Sequence, residues 1–325
     1  MRAFISHETA LAYWREHFPL DSELGRPARV SKSQAYAYRK EDVLACVPEW
    51  YIIEGQPVDV LVFDASLRRK SKQVESRLWG TVVPSGAFYR DGDIYVSSPE
   101  FVFLQMASRI TLVQLVALGC ELCGTYVLLP KDRIHPGAID DYPKRRDPLT
   151  SVKRLQAFVE KAVDGKGRTQ ALRALRYVAE ASRSPMETMT YMLLCLPPMI
   201  GGYGLPKPII NAHIDLDDEG KAIARRSYCE GDICWQKEKL NIEYHGEVHV
   251  GAQNMKRDVG RTLGIEHMGY RVITVTSMQV FDTVQFEVVA VEAAKHLKKR
   301  LYPQALGNTL ARSTLHEELE AWMFK

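Results

Sequence analysis

The sequence lacks three features that would assign it to a class directly. It has six cysteines in 325 residues, too few and too scattered for a disulfide scaffold. No apolar run reaches the roughly 20 residues that span a bilayer. The net charge is only +3, so any nucleic-acid binding has to come from local patches. We therefore expect a cytoplasmic protein with no membrane partner.

The cysteines leave one alternative open. Cys120 and Cys123 form a CxxC pair, and Cys229 and Cys234 could complete a zinc site with them. The first pair lies in an apolar segment in which small side chains pack well. Buried free thiols are therefore the preferred interpretation.

The composition is that of a globular protein with room for more than one domain. Apolar residues make up 46% of the chain and charged residues 26%. The pattern predicts an α/β protein: a mixed domain at 1–148, a helical connector at 149–183 and a third segment at 184–325. In the first domain we predict strands at 50–54, 58–63, 80–83 and 93–96, and a helix at 99–108.

The segment 228–249 predicts a β-hairpin with a carboxylate on each strand. If the turn centres on Lys237 and Glu238, Asp232 stands opposite Glu243. Like charges repel at that separation unless a cation lies between them or one acid keeps its proton. Two exposed acids paired with lysines would be the simpler explanation for the hairpin taken alone.

His245 is two residues from Glu243 and is expected on the same strand face, with His249 nearby. Oxygen ligands at this density suit Mg²⁺ or Mn²⁺. Such an ion can polarise a phosphoryl oxygen and lower the pKa of bound water. The hairpin therefore predicts a metal site.

Helices flank the hairpin. Ser184 and Pro185 predict a helix start with Glu187 in the first turn, where an acid also favours the helix dipole. A second helix is predicted at 253–267. Four polar or basic side chains on it could contact a nucleic-acid backbone: Gln253, Lys256, Arg257 and Arg261. The predicted order of elements is α-β-β-β-α-β-α.

This order and these residues resemble the PD-(D/E)XK nuclease superfamily. The resemblance is closer to an uncharacterised family related to very-short-patch-repair endonucleases. The matching motifs are the Ser-Pro-x-Glu helix start at 184–187, the Gly-Leu-Pro-x-Pro turn at 204–208, Asp232, the strand end at 243–249 and Asp-x-x-Arg at 258–261. They cover about 184–300 and imply a restriction-endonuclease-like core.

The resemblance implies a role for each acid. Asp232 and Glu243 would hold Mg²⁺ or Mn²⁺, Glu187 would complete the cluster, and His249 would act in acid-base catalysis. The superfamily places a lysine two residues after the second acid, where this chain has His245. Neutral histidine carries no fixed charge.

We therefore expect an endonuclease that hydrolyses nucleic-acid phosphodiester bonds, DNA in preference to RNA, in DNA repair or phage defence. The alternative is a catalytically inactive regulator or antitoxin-type protein that keeps the nuclease fold and binds DNA. The N-terminal half more faintly resembles antitoxin-type regulators of abortive-infection systems, through the segment 94–109. It is therefore a candidate surface for a protein partner.

Overall fold

The computed structural model describes most of the chain. Described are residues 3–16, 27, 28, 30, 40–47, 56–128, 146–246, 252–301 and 309–324. The side chains of 42, 46 and 252–258 lie outside the description. His249, the predicted strand at 50–54 and most of the segment 129–148 also lie outside it.

The chain divides into two compact units. Unit 1 comprises Met1–Leu122 and Leu149–Arg176, and unit 2 comprises Cys123–Pro148 and Tyr177–Lys325. Most of the predicted connector at 149–183 therefore groups with the first unit. The boundary falls at Arg176, just after the second helix of that segment ends.

Unit 1 contains a mixed sheet and helices. Its elements are β1 Ala3–Ile5, α1 His7–Glu16, α2 Lys40–Cys46, β2 Val58–Val62, β3 Val74–Leu78, β4 Phe88–Asp91, β5 Ile94–Ser97, α3 Pro99–Met106, α4 Leu112–Leu122, α5 Val152–Lys161 and α6 Arg168–Leu175. The described strands are ordered β3-β2-β1-β5-β4. β1 is parallel to β5 and antiparallel to β2.

Local sequence explains much of unit 1. Ser98 caps α3 by accepting the Phe101 N–H, and Pro99 needs no hydrogen-bond acceptor in the first turn. The strand predicted at 80–83 is wrong, because this segment is irregular and the strand lies at Val74–Leu78. Two β3 residues are deeply buried, Val74 and Ser76, and only the first of them is apolar. In the sequence, β3 therefore carries a weaker apolar signal than Val82 and Val83 do.

Unit 2 contains the predicted order of elements with further helices between and after them. Its elements are α7 Pro185–Cys195, β6 Ile209–Asp215, α8 Asp218–Ala224, β7 Tyr228–Trp235, β8 Leu240–His245, α9 Ala252–His267, β9 Arg271–Thr276, α10 Ser277–Phe281, α11 Thr283–His296 and α12 Thr309–Phe324. Short α8 was not predicted. Asp217 caps it by accepting the Gly220 N–H.

The sheet of unit 2 has the strand order β6-β7-β8-β9. β6, β7 and β8 form an antiparallel meander, and β9 runs parallel to β8 after the crossover through α9. The described register of the hairpin pairs Trp235 with Leu240 and Ile233 with Ile242. This register agrees with the predicted turn at Lys237 and Glu238.

Both α/β layers bury an apolar core, and the α/β class predicted from the sequence is confirmed. In unit 2, Ala212 and Ile214 of β6 pack with Cys229 of β7 and Ile265 of α9. The strand β8 is central, so Leu240, Ile242 and Glu243 are all buried. Among the described helices, none has the length and apolarity needed to cross a membrane.

Candidate functional site

The acids of unit 2 lie on three different elements. Glu187 belongs to the first turn of α7, Asp232 to the middle of β7 and Glu243 to β8. Glu187 is 8% exposed and Glu243 1% exposed. Side chains this deeply buried need partners that offset the loss of hydration.

Glu187 is held where α7 begins. Its N–H donates to Ser184 Oγ at 3.0 Å, and its Oε2 accepts the Arg183 N–H at 2.9 Å. Oε2 also accepts from Asn211 Nδ2 at 2.8 Å. Helix capping thus accounts for part of the role of Glu187, and Asn211 connects it to β6.

Asn211 has an unusual backbone conformation for a strand residue. Its φ is +50°, a region that asparagine tolerates better than most residues do. It lies between the paired residues of Ile210–Ile233 and Ala212–Gly231, level with Asp232. The sequence reasoning missed Asn211, because an asparagine in a strand carries no signal of its own.

Asp232 takes part in the backbone hydrogen bonding of the hairpin. Its Oδ2 accepts the Tyr244 N–H at 2.9 Å, and its Oδ1 is 3.9 Å from the Arg261 guanidinium. Burial raises the pKa of Asp232, against the opposing effects of Arg261 and of this backbone hydrogen bond. Asp232 therefore lies between the hairpin backbone and α9.

Each oxygen of the Glu243 carboxylate accepts a hydrogen bond from a different partner. Asn241 donates to Oε1 and Arg261 donates to Oε2. Arg261 also donates to the Glu230 carbonyl at 3.2 Å. Its guanidinium thus lies beside both hairpin acids.

The three acids are electrostatically linked through Asp232. Burial and the charge of Asp232 raise the pKa of Glu187 to about 7. The same two causes raise the pKa of Glu243 to about 7. Asp232 is therefore the acid that influences both of the others, as expected for like charges held at short range.

A second arginine borders the acids. Arg183 forms a two-pronged ion pair with Glu230, with distances of 2.8 and 2.7 Å. This pair is the first cause of the raised pKa of Arg183, and the charges of Glu187 and Asp232 add to it. Arg183 was not predicted, although it directly precedes the Ser-Pro-x-Glu motif.

The other predicted residues are only partly described. His245 ends β8 and is partly exposed, and its charge opposes the rise in the pKa of Asp232. Gln253, Lys256 and Arg257 lie on the α9 backbone, but their side chains are outside the described residues, as is all of His249. Only Arg261 of the predicted basic set therefore has a described position.

The donors at this site are carboxylate oxygens, which suit Mg²⁺ or Mn²⁺. Burial is the first cause of the raised pKa of Glu187 and of Glu243, and the charge of Asp232 is the second. Among the described residues, however, no group of three His, Cys, Asp or Glu is arranged to hold a metal ion. The acids fit a hard cation chemically, and Arg261 competes with it for Glu243.

The predicted zinc alternative finds no support in the part of the chain that the structure describes. Cys120, Cys123, Cys229 and Cys234 are all buried thiols. Burial raises the pKa of Cys229 and brings that of Cys234 to about 12. A buried protonated thiol is a poor metal ligand.

Comparison with known proteins adds no assignment. No protein-family model, no curated protein and no solved structure matches the chain significantly.

Proposed function

We propose that unit 2 is the core of a metal-dependent nuclease that hydrolyses nucleic-acid phosphodiester bonds, DNA in preference to RNA. The observation that carries the proposal is the electrostatically linked set Glu187, Asp232 and Glu243, on α7, β7 and β8 of an α-β-α-β-β-α-β order. Perturbed acids gathered in this way are typical of functional sites, although structural ion pairs also perturb pKa values. DNA repair and phage defence are the proposed settings.

In this proposal Asp232, Glu243 and Glu187 would hold Mg²⁺ or Mn²⁺. The ion would polarise the phosphoryl oxygen and supply a water of lowered pKa. His245 and His249 are the candidate acid-base residues. Gln253, Lys256, Arg257 and Arg261 are proposed to contact the phosphate backbone.

The proposal is tested with the full chain on plasmid, single-stranded DNA and RNA, each with Mg²⁺, Mn²⁺ or a chelator. We expect metal-dependent cleavage that Asp232→Asn reduces at least about a hundredfold, in line with the loss of a metal ligand's charge. Asparagine can still accept the Tyr244 N–H, so the fold should survive. The matched control is Asp218→Asn, because Asp218 is a fully exposed acid at the start of α8.

Cleavage that persists unchanged in Asp232→Asn would reject this site. The site is also rejected if Asp218→Asn lowers the cleavage rate as much as Asp232→Asn does.

The second candidate is a catalytically inactive DNA-binding regulator or antitoxin-type protein with a nuclease-like fold. It is favoured by Arg261, whose guanidinium already contacts Glu243 and lies beside Asp232. A protein of this kind would need no metal. Calorimetry with Mn²⁺ separates the two candidates: heat that Asp232→Asn abolishes supports the nuclease, and salt-dependent DNA binding without metal uptake supports the regulator.

A further inference from the structure

Unit 1 contains a cavity of about 290 Å³ that is separate from the acids of unit 2. Its lining comes from α1, β3, the end of α3 and the loop between α5 and α6. The residues are His7, Arg68, Ser76, Arg77, Leu78, Trp79, Gln105, Ser108, Arg109 and Lys166. Three arginines and one lysine line it, and no described lining residue is acidic. Such a cavity attracts anions.

Two acids, the buried Asp59 and the partly exposed Glu8, hold two of the arginines that line the cavity. Arg77 Nε donates to Asp59 Oδ1 at 2.6 Å, and Arg109 Nε donates to Glu8 Oε1 at 2.9 Å. Asp59 is 3% exposed. Arg77 also donates from Nη1 to Glu75 Oε1 at 2.8 Å. The described contacts of Arg109 involve only Nε, so its outer nitrogens are available to a ligand.

Lys166 is positioned by glycines on both sides. A Cβ at Gly167 would lie 2.9 Å from the Ser108 backbone nitrogen, and Gly167 has a φ of +87°. A Cβ at Gly165 would lie 3.2 Å from the Trp79 ring. Only glycines let this loop approach so closely, which brings the exposed Lys166 to the cavity.

The cavity floor is polar and rigid. His7 is 8% exposed and has a φ of +48°, and its N–H donates to Gln105 Oε1 at 3.0 Å. Burial lowers the pKa of His7 to about 3, so its imidazole is neutral. A strained backbone held by a buried amide is a feature that proteins keep where a side chain has a task.

We infer that this cavity binds a phosphate monoester, carried either by a mononucleotide or by the 5′ end of a nucleic acid. A dianion matches the surplus of cationic side chains, and Arg and Lys are the usual phosphate ligands. The volume lies near the lower limit of small-ligand pockets, so it admits a terminal phosphate with a sugar and excludes a continuous duplex. The inference is independent of the nuclease proposal, because every residue belongs to unit 1.

Calorimetry on the full chain, with a chelator present, tests the inference. The probes are inorganic phosphate, adenosine 5′-monophosphate, adenosine, and one single-stranded oligonucleotide with either a 5′-phosphate or a 5′-hydroxyl. We expect the phosphorylated member of a pair to bind about tenfold or more tightly than its partner without phosphate. Preference for the nucleotide identifies a free ligand, and preference for the phosphorylated oligonucleotide identifies a nucleic-acid end.

Point variants test whether the phosphate binds in this cavity. Lys166→Glu and Arg68→Glu, on two separate loops, should each abolish the preference for the phosphate. The controls Lys161→Glu and Lys72→Glu change equally exposed lysines that do not line the cavity, and should retain it. The inference is overturned if no phosphorylated probe is preferred, or if the control variants lose the preference as fully as the cavity variants do. DNA binding by unit 2 would not mimic the result, because it does not depend on the 5′-phosphate.

Discussion

In unit 1, Glu8 and Asp59 each contact an arginine of their own, whereas in unit 2 one arginine, Arg261, lies beside both Asp232 and Glu243. Burial and Glu8 raise the pKa of Asp59 to about 7, much as burial and Asp232 do for Glu187 and Glu243. The surrounding charge differs. Spare cations line the unit 1 cavity, and spare acids remain in unit 2.

A buried carboxylate does not by itself predict a metal site. The sign of the charge left over after pairing decides which ligand is attracted. An anion is therefore inferred for unit 1 and a cation is proposed for unit 2. Point mutations, pH and added Mg²⁺ should act differently on the two units.

The largest effect is expected from Arg261→Ala. Removing the guanidinium leaves Glu243 buried without its cation, and breaking a buried ion pair typically costs about 3–5 kcal/mol. The matched change Arg109→Ala in unit 1 removes an ion pair in which both side chains are about one-third exposed, and should cost at most about 1 kcal/mol. Chemical denaturation measures both variants. Equal losses would contradict the contrast.

Added Mg²⁺ gives a second measurement on the same variants. If the acids of unit 2 can bind a cation, Mg²⁺ should recover much of the stability lost in Arg261→Ala and none of that lost in Arg109→Ala. Recovery of Arg109→Ala as well would indicate a general ionic effect.

A pH effect of intermediate size follows from the raised pKa values. The pKa of Glu187 and that of Glu243 rise from 4.5 to about 7 on folding, so the folded state holds protons that the unfolded state has already lost. Stability is fully present below pH 4.5 and declines as the pH rises to about 7. Each pKa unit is worth about 1.4 kcal/mol, so we expect a loss of roughly 2–3 kcal/mol for each of the two acids between pH 5 and pH 8.

The change Glu187→Gln should flatten this decline, and Mg²⁺ should oppose it at pH 8. Asp59 of unit 1 contributes a decline of the same sign, which Asp59→Asn should reduce and Mg²⁺ should leave unchanged. Thermal denaturation across pH separates the two contributions. A decline in Glu187→Gln as steep as in the unchanged protein would refute the role assigned to this acid.

A smaller loss is expected from Gly231→Ala. A Cβ at Gly231 would lie 2.4 Å from Asn241 Oδ1, so the amide that donates to Glu243 has to move. Overpacking of this kind costs about 1–3 kcal/mol. The control Gly260→Ala on α9 meets only ordinary contacts and should raise stability by up to about 1 kcal/mol, because alanine favours helix. The denaturant midpoints of the two variants measure the expected loss and the expected gain in stability.

The smallest effect on stability is expected from Arg183→Gln. Its partner Glu230 is about one-third exposed, as Arg183 is, so the pair contributes less than about 1 kcal/mol. Its charge nevertheless opposes a metal ion beside Glu187 and Asp232. We expect tighter Mn²⁺ binding in this variant. Unchanged or weaker binding by calorimetry would place the ion elsewhere.

The α/β class, the hairpin turn and the helix starts at Ser98 and Ser184 could be predicted from the sequence, because capping, turn chemistry and apolar periodicity act over a few residues. The positions of Asp232 and Glu243 on adjacent strands followed from the same turn. The strand Val74–Leu78 was missed, because its burial depends on the neighbouring β2 and not on its own pattern.

Only the tertiary structure decided what each acid contacts. Asn211 donates to Glu187 although the two residues are 24 positions apart in the sequence, and Arg261 of α9 donates to Glu243. The residues that line the unit 1 cavity come from separate segments of the chain, between position 7 and position 166. Sequence determines which charges are present, but their pairing and burial depend on long-range packing, and so does the charge that remains for a ligand.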